Sequence, residues 1–214
     1  MLETIIKGGP VMIPIMACSF VSLAVVYDRW CAFRENRKID TRSLRSKVLA
    51  HLRANNTDAA ISECAATGGP LASVMLAGLR SYQQLREKKE GPDTMRAVVT
   101  QVMEEYSVQA LSLVNKRLDV LTVVGTAAPL LGMTGTVTGM IGSFGGMAAA
   151  GAAGGGGGVV AAGIAEALIT TAAGLLIALS AVIPQSVYNR WSDEIELEIQ
   201  EANSEIVEFI LTHH

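Results

Sequence analysis

The sequence is short of charge. Only 17% of its 214 residues are Asp, Glu, Lys or Arg, against roughly 25% in an ordinary soluble domain, and half are hydrophobic. That balance argues against a soluble enzyme and for a membrane protein. Aromatic residues are also scarce: four Phe, four Tyr and two Trp stand beside 21 glycines. Such a composition suits helices that approach one another closely better than a core filled by rings. The three cysteines, Cys18, Cys31 and Cys64, show neither metal-ligand spacing nor an even-numbered disulfide framework. They read as small apolar fillers. Histidine occurs only as His51, His213 and His214, too few and too scattered to build a triad or a metal cluster. No catalytic residue, cofactor site or metal site is expected.

What is present is three long uncharged runs. Gly8 to Tyr27 carries no charge and matches the ~20 residues a helix needs to cross a bilayer. Asp28-Arg29-Trp30 follows as an interfacial stop. No small-residue cleavage site is visible, so this run reads as a retained span rather than a signal peptide. Val120 to Ala165 is again uncharged, and after Glu166 another uncharged run extends from Ala167 to Asn189. A glycine-rich stretch near 145–158 supplies the turn that splits this region into two crossings. The second span is expected near Leu121 to Phe144 and the third near Val159 to Val182. The glycine run from Gly154 lacks the lysine and the strand-to-helix setting of a phosphate loop, so nucleotide binding is not expected.

Of the 17 Lys and Arg residues, 15 fall between Arg29 and Arg117. Seven of these, Arg29 to Lys47, crowd near the end of the first run, where the positive-inside bias acts most strongly. That segment is therefore assigned to the cytoplasm, the N-terminus to the periplasm and the C-terminus to the cytoplasm.

Between the first and second spans the pattern is helical. Leu44, Val48 and Leu52 form one apolar stripe, Asp58 to Thr67 a second helix closed by Gly68-Gly69-Pro70, and Leu71 to Leu85 a third. Gly91-Pro92-Asp93 opens another helix, with Met95, Val98, Val102, Tyr106, Gln109 and Leu113 on one face. No Gly or Pro interrupts it before Gly125, which predicts one helix from Asp93 to Phe144, about 78 Å long at 1.5 Å per residue. After Arg190 the tail is acidic, from Asp193 to Glu208, with Trp191, Ile195, Ile199, Ala202, Ile206 and Phe209 at seam spacing. That face packs either on another helix seam or on the basic segment of its own chain.

The segments so defined are 1–33, a periplasmic N-terminus and first span; 34–119, a cytoplasmic helical region and stalk; 120–183, the second and third spans with their turn; and 184–214, an acidic cytoplasmic helix. The fold class is an all-α integral membrane protein with three transmembrane helices and long helices extending into the cytoplasm.

Within the spans the polar residues are few. Gly132, Gly135, Gly139 and Gly142 recur at three or four residues on the second span, spacing that lets backbones approach. Thr134, Thr136 and Thr138 either bond their own backbone carbonyls or line a wet path. Glu166 is the one ionisable side chain inside the uncharged stretches, and a carboxylate at membrane depth is costly enough to be read as functional unless it rests solvated at the outer mouth. Thr170 shares its face one turn on, and Thr171 lies next to it.

The motifs APLLGMTGTVTGM and GIAEALITTAAGL, together with GGPVMIPIMACSFVSLAVVYDRW and GGPLASVMLAGL, resemble the signatures of the MotA/TolQ/ExbB proton channel family. Three spans are similar to its ExbB and TolQ branch, with the GGPVMIP opening closer to ExbB. The resemblance implies a homopentameric ring in the bacterial inner membrane around a dimer of an ExbD- or TolR-like single-span partner that carries the protonatable aspartate. An effector of the TonB or TolA kind would receive the motion. Carried over by motif, Thr136, Thr171, Glu166 and Thr170 are the pore-lining residues of the proton pathway, and the membrane lipid is the surrounding solvent. Thr134 and Thr138 stand where many relatives have bulky apolar residues. The competing reading is a structural scaffold that uses the same glycine-rich spans and conducts nothing. No nucleic-acid partner is expected.

Overall fold

The computed structural model describes residues 9–37, 39–150 and 156–212. Among these residues seven helices follow in order: α1 (Met12–Asn36), α2 (Thr41–Arg53), α3 (Thr57–Thr67), α4 (Gly69–Glu87), α5 (Pro92–Asn115), α6 (Leu118–Ala150) and α7 (Gly156–Thr212). No strand occurs among the described residues. Three helices are long and apolar enough to cross a membrane, in the regions of α1, α6 and α7. The chain is thus a multi-pass, all-helical membrane protein. It divides into two compact units, one formed by the chain up to Trp30 with Arg117–Val187, the other by Cys31–Lys116 with the chain from Tyr188 onward.

The second unit is built by local rules. Asp40 caps α2 by accepting a hydrogen bond from Ser43 N at 3.1 Å, and Asn56 caps α3 through Ala59 N at 3.1 Å. Gly68, at φ 68°, closes α3, and Gly69, at φ 89°, turns the chain into α4. Apolar faces then meet in one core: Leu44, Val48 and Leu52 from α2, Cys64 from α3, Met75 and Leu79 from α4, Met95, Val99 and Met103 from α5. Each such side chain contributes about 1.5–3 kcal/mol when fully buried. Gly78 lets α5 come close, since a Cβ there would lie 2.5 Å from Met103 Sδ.

The acidic tail resolves its two readings in this core. Ile199, Ala202, Ile206 and Ile210 are buried against the helices of their own chain, with Ile195 and Phe209 partly buried beside them. Arg45 of α2 donates to both Glu201 and Glu205, and those carboxylates raise its pKa. At the start of this segment Phe33, Tyr188 and Trp191 cluster with ring centroids 5.5–5.7 Å apart, and Arg37 lies 5.3 Å above the Trp191 ring.

Three sequence expectations are corrected. The single helix from Asp93 to Phe144 is two helices, because Lys116 is extended (ψ 130°) and Arg117 left-handed (φ 69°). Absence of Gly and Pro did not guarantee continuity, since arginine can occupy this region at a cost of about 1–2 kcal/mol. The buried face of α5 is Met95, Val99, Met103, Ala110 and Val114, whereas Tyr106 and Leu113 are exposed. The expected stripe was rotated by one residue beyond its first member. The helix of the second span also continues through Gly145 and Gly146 to Ala150, and α7 already includes Gly156 to Gly158. Inside a bilayer, helical hydrogen bonding has no competitor in water, which outweighs glycine's entropic reluctance. Residues 151–155 of the expected turn lie outside the described residues.

In the first unit, α6 and α7 form an antiparallel hairpin joined by α1. The third span and the acidic tail are one 57-residue helix, with Pro184 inside it. Large apolar side chains such as Phe20, Leu130, Val137, Leu168 and Leu176 remain exposed, as expected where lipid or other helices supply the surroundings.

Candidate functional site in the membrane hairpin

The hairpin is held by small residues facing each other. A Cβ added to Gly132 would lie 3.1 Å from Thr171 Cα, and one on Gly139 would lie 3.1 Å from the Gly163 carbonyl oxygen. A Cβ on Gly135 would run into the Thr170 methyl group. The approach is reciprocal, because a Cβ on Gly174 would lie 2.6 Å from the Ala128 carbonyl oxygen and one on Gly163 would displace the Ser143 hydroxyl. Gly142 has nothing within 4 Å and takes no part. From the sequence, glycine-bearing faces are expected on the second and third spans, with the four named packing glycines all on the second. Gly163 and Gly174 of α7 were visible in the quoted motif, but only the pairing of the two helices reveals their partners.

Two of the hydroxyls, those of Thr170 and Thr171, sit on the same contact. Thr171 Oγ1 donates across the hairpin to the Gly132 carbonyl at 3.0 Å, a bond that joins two helices. Such a bond is worth about 0.6 kcal/mol in a membrane protein. Thr170 is buried and donates to the Glu166 carbonyl at 2.9 Å. Thr136 donates to the Met133 carbonyl at 2.6 Å, Thr134 to that of Leu130 at 2.9 Å, and Thr138 to that of Thr134 at 3.0 Å. Each hydroxyl thus spends its proton on backbone, while its oxygen lone pairs remain able to accept.

Glu166 is half-buried and points elsewhere than the glycine contact. Its carboxylate lies against Gly9, just before α1, so closely that a Cβ on Gly9 would run into Oε1. Two polar features were not foreseen. Gln185 Nε2 donates to Thr122 Oγ1 at 2.5 Å, a second polar tie between α7 and α6. Ser22 of α1 is fully buried, and its hydroxyl has no partner among the described residues. A groove of about 930 Å³ lined by Thr100, Glu104, Asn203 and Val207 contains none of the candidate residues.

Fold and site together define a class: a multi-pass helical membrane protein whose close-packed hairpin carries a band of hydroxyls and one carboxylate. The chain belongs to the MotA/TolQ/ExbB proton channel family, which it matches over residues 66–201. It is similar to the Tol-Pal system protein TolQ of Pseudomonas aeruginosa, 31% identical over 87% of this chain and 79% of that protein. It is also similar to the putative biopolymer transport protein ExbB-like 1 of Synechocystis, at 30% over 86% of this chain and 68% of the relative. The biopolymer transport protein ExbB of Neisseria gonorrhoeae is 28% identical over 86% of this chain and 84% of its own length.

Proposed function

We propose that this chain is an inner-membrane proton-channel subunit of a TolQ/ExbB-type complex that couples proton motive force to work in the cell envelope. In this reading five copies form a ring around a dimer of an ExbD- or TolR-like single-span partner, whose aspartate is the group that is protonated and released. An effector of the TonB or TolA kind receives the motion. The N-terminus is periplasmic and the C-terminus cytoplasmic in this reading, which the 15 basic residues between Arg29 and Arg117 support.

The observation that carries the reading is the seating of Thr170 and Thr171 of α7 against Gly135 and Gly132 of α6, with Thr136 next to Gly135 in the sequence and Glu166 one turn before Thr170. Hydroxyl oxygens with free lone pairs give a partner carboxylic acid somewhere to place its proton inside a low-dielectric span. The transmembrane voltage contributes about 2.3 kcal/mol per charge per 100 mV toward each crossing. The test is proton flux into vesicles containing the chain with its single-span partner under an imposed gradient. Thr136→Val and Thr171→Val keep the side-chain shape and remove the hydroxyl, so flux is expected to fall by roughly fivefold each, the equivalent of one hydrogen bond of about 1 kcal/mol.

The scaffold reading has an observation of its own, because every threonine hydroxyl named here already donates to a backbone carbonyl. Full flux in both valine variants would favour that reading and remove the pathway.

A further inference from the structure

We infer that Gly9 is a positioning residue for Glu166: by lacking a side chain it admits the Glu166 carboxylate to the N-terminal end of α1, making that helix the seat of the carboxylate. The inference rests on the proposed conduction for its functional consequence, while the seat itself is a geometric statement that stands apart from it.

Three observations combine. The first is steric: a Cβ on Gly9 would run into Glu166 Oε1 and lie 3.1 Å from Cδ, so the end of the Glu166 side chain would have to move away. The second is conformational. Gly9 sits at φ 68°, and its carbonyl accepts the Met12 N–H at 3.1 Å, so the turn that opens α1 uses the left-handed backbone that glycine adopts freely. The third is electrostatic. A helix N-terminus favours negative charge, yet α1 has no acidic residue in its first turn, and Pro10 brings no N–H. Glu166, from α7, is an acidic residue placed at that end from another helix.

The seat also explains why a carboxylate is tolerated among apolar residues. No other Asp, Glu, Lys or Arg lies between Val120 and Asn189, so neither α6 nor the spanning part of α7 offers a counter-charge. The carboxylate lies instead at the N-terminal end of α1, the end of a helix that favours negative charge. Glu166 is then held on the side of α7 that meets α1, while its backbone carbonyl receives the Thr170 hydroxyl.

Suppression separates this role from ordinary backbone strain. Gly9→Ala introduces the Cβ that collides with Oε1, and Glu166→Asp withdraws the carboxylate by one methylene and restores the space. Vesicle flux with the single-span partner is expected to drop about tenfold or more in Gly9→Ala, since misplacing a reacting group by an ångström costs up to on the order of 100-fold. The double variant Gly9→Ala with Glu166→Asp is expected to recover several-fold over Gly9→Ala. Strain at φ 68° is the same in the single and double variants and predicts no recovery. Wild-type flux in Gly9→Ala, or no recovery in the double variant, overturns the positioning role.

A second measurement does not depend on conduction. In a background with Cys18, Cys31 and Cys64 changed to serine, Gly9→Cys paired with Glu166→Cys is expected to form an intrachain disulfide in membranes. Gly9→Cys paired with Leu168→Cys, whose side chain is 63% exposed, is expected not to. Equal or absent crosslinking of the two pairs overturns the seat. Selective crosslinking in a protein whose wild type passes no protons keeps the seat and removes the conduction reading.

Discussion

Arg117 Nη1 lies 3.2 Å from Asp28 Oδ2, and the same carboxylate oxygen receives Arg29 Nη2 at 2.8 Å. One aspartate at the end of the first uncharged run thereby gathers two guanidinium groups, one from α1 and one from the break between α5 and α6. The pairing accounts for an arginine at φ 69°: an exposed ion pair is worth up to about 1 kcal/mol, comparable to the cost of the left-handed backbone.

Arg117→Gly is therefore expected to be close to neutral in thermal stability in detergent, because relief of backbone strain offsets the lost ion pair. In a continuous helix the same change would cost about 1 kcal/mol. A clear loss of that size in Arg117→Gly, with Asp28→Asn unchanged, would restore the uninterrupted helix.

Gly135→Leu strikes the hairpin inside one subunit, since the position faces Thr170 of the same chain. The variant is expected to lose folded protein altogether in fluorescence-detected size exclusion rather than to yield folded monomers. Gly142→Leu, with open space around it, is expected to keep the subunit folded. Stable monomeric Gly135→Leu would show that the glycine contact belongs between subunits.

Burial pushes the Cys64 thiol up to about 11, so at pH 8 it is protonated as well as inaccessible. A maleimide reagent is expected to leave Cys64 unmodified in the folded protein and to label it after denaturation, whereas the exposed Cys31 labels in both states. Mass spectrometry of the labelled peptides decides it, and rapid native labelling of Cys64 would contradict the core packing of α3.

Lys47 Nζ donates to Glu63 at 2.7 Å and holds that carboxyl below its ordinary range, while Glu63 holds the ammonium above its own. The carboxylate's contribution is present above about pH 4.3 and lost as pH falls through its lowered folded value. The lysine's contribution is complete below about pH 10.4 and lost as pH rises through its raised value. Lys47→Met is expected to flatten the pH dependence of unfolding at both extremes and to change it little near neutrality. An unaltered acid limb in the variant would show that the pair does not form.

Much of the architecture is legible along the chain. Uncharged runs of about 20 residues have few alternatives to a spanning helix, because every backbone polar group must be satisfied internally in lipid. The Gly68-Gly69-Pro70 stop and the Leu44, Val48, Leu52 stripe are local, and local chemistry decides them. Tertiary structure decided where a residue's partner comes from. The break at Arg117 depends on Asp28, far away in sequence, and the buried face of α5 depends on which neighbours pack against it. The glycines of α6 acquire meaning only opposite Gly163, Ala167 and Gly174, and Glu166 finds Gly9, some 157 residues earlier, only once α1 and α7 are side by side. Periodicity along one helix records which side chains are small, apolar or charged. Which of them meet is set by the simultaneous packing of several helices, where close approach and a shared counter-charge are properties of pairs and not of single positions.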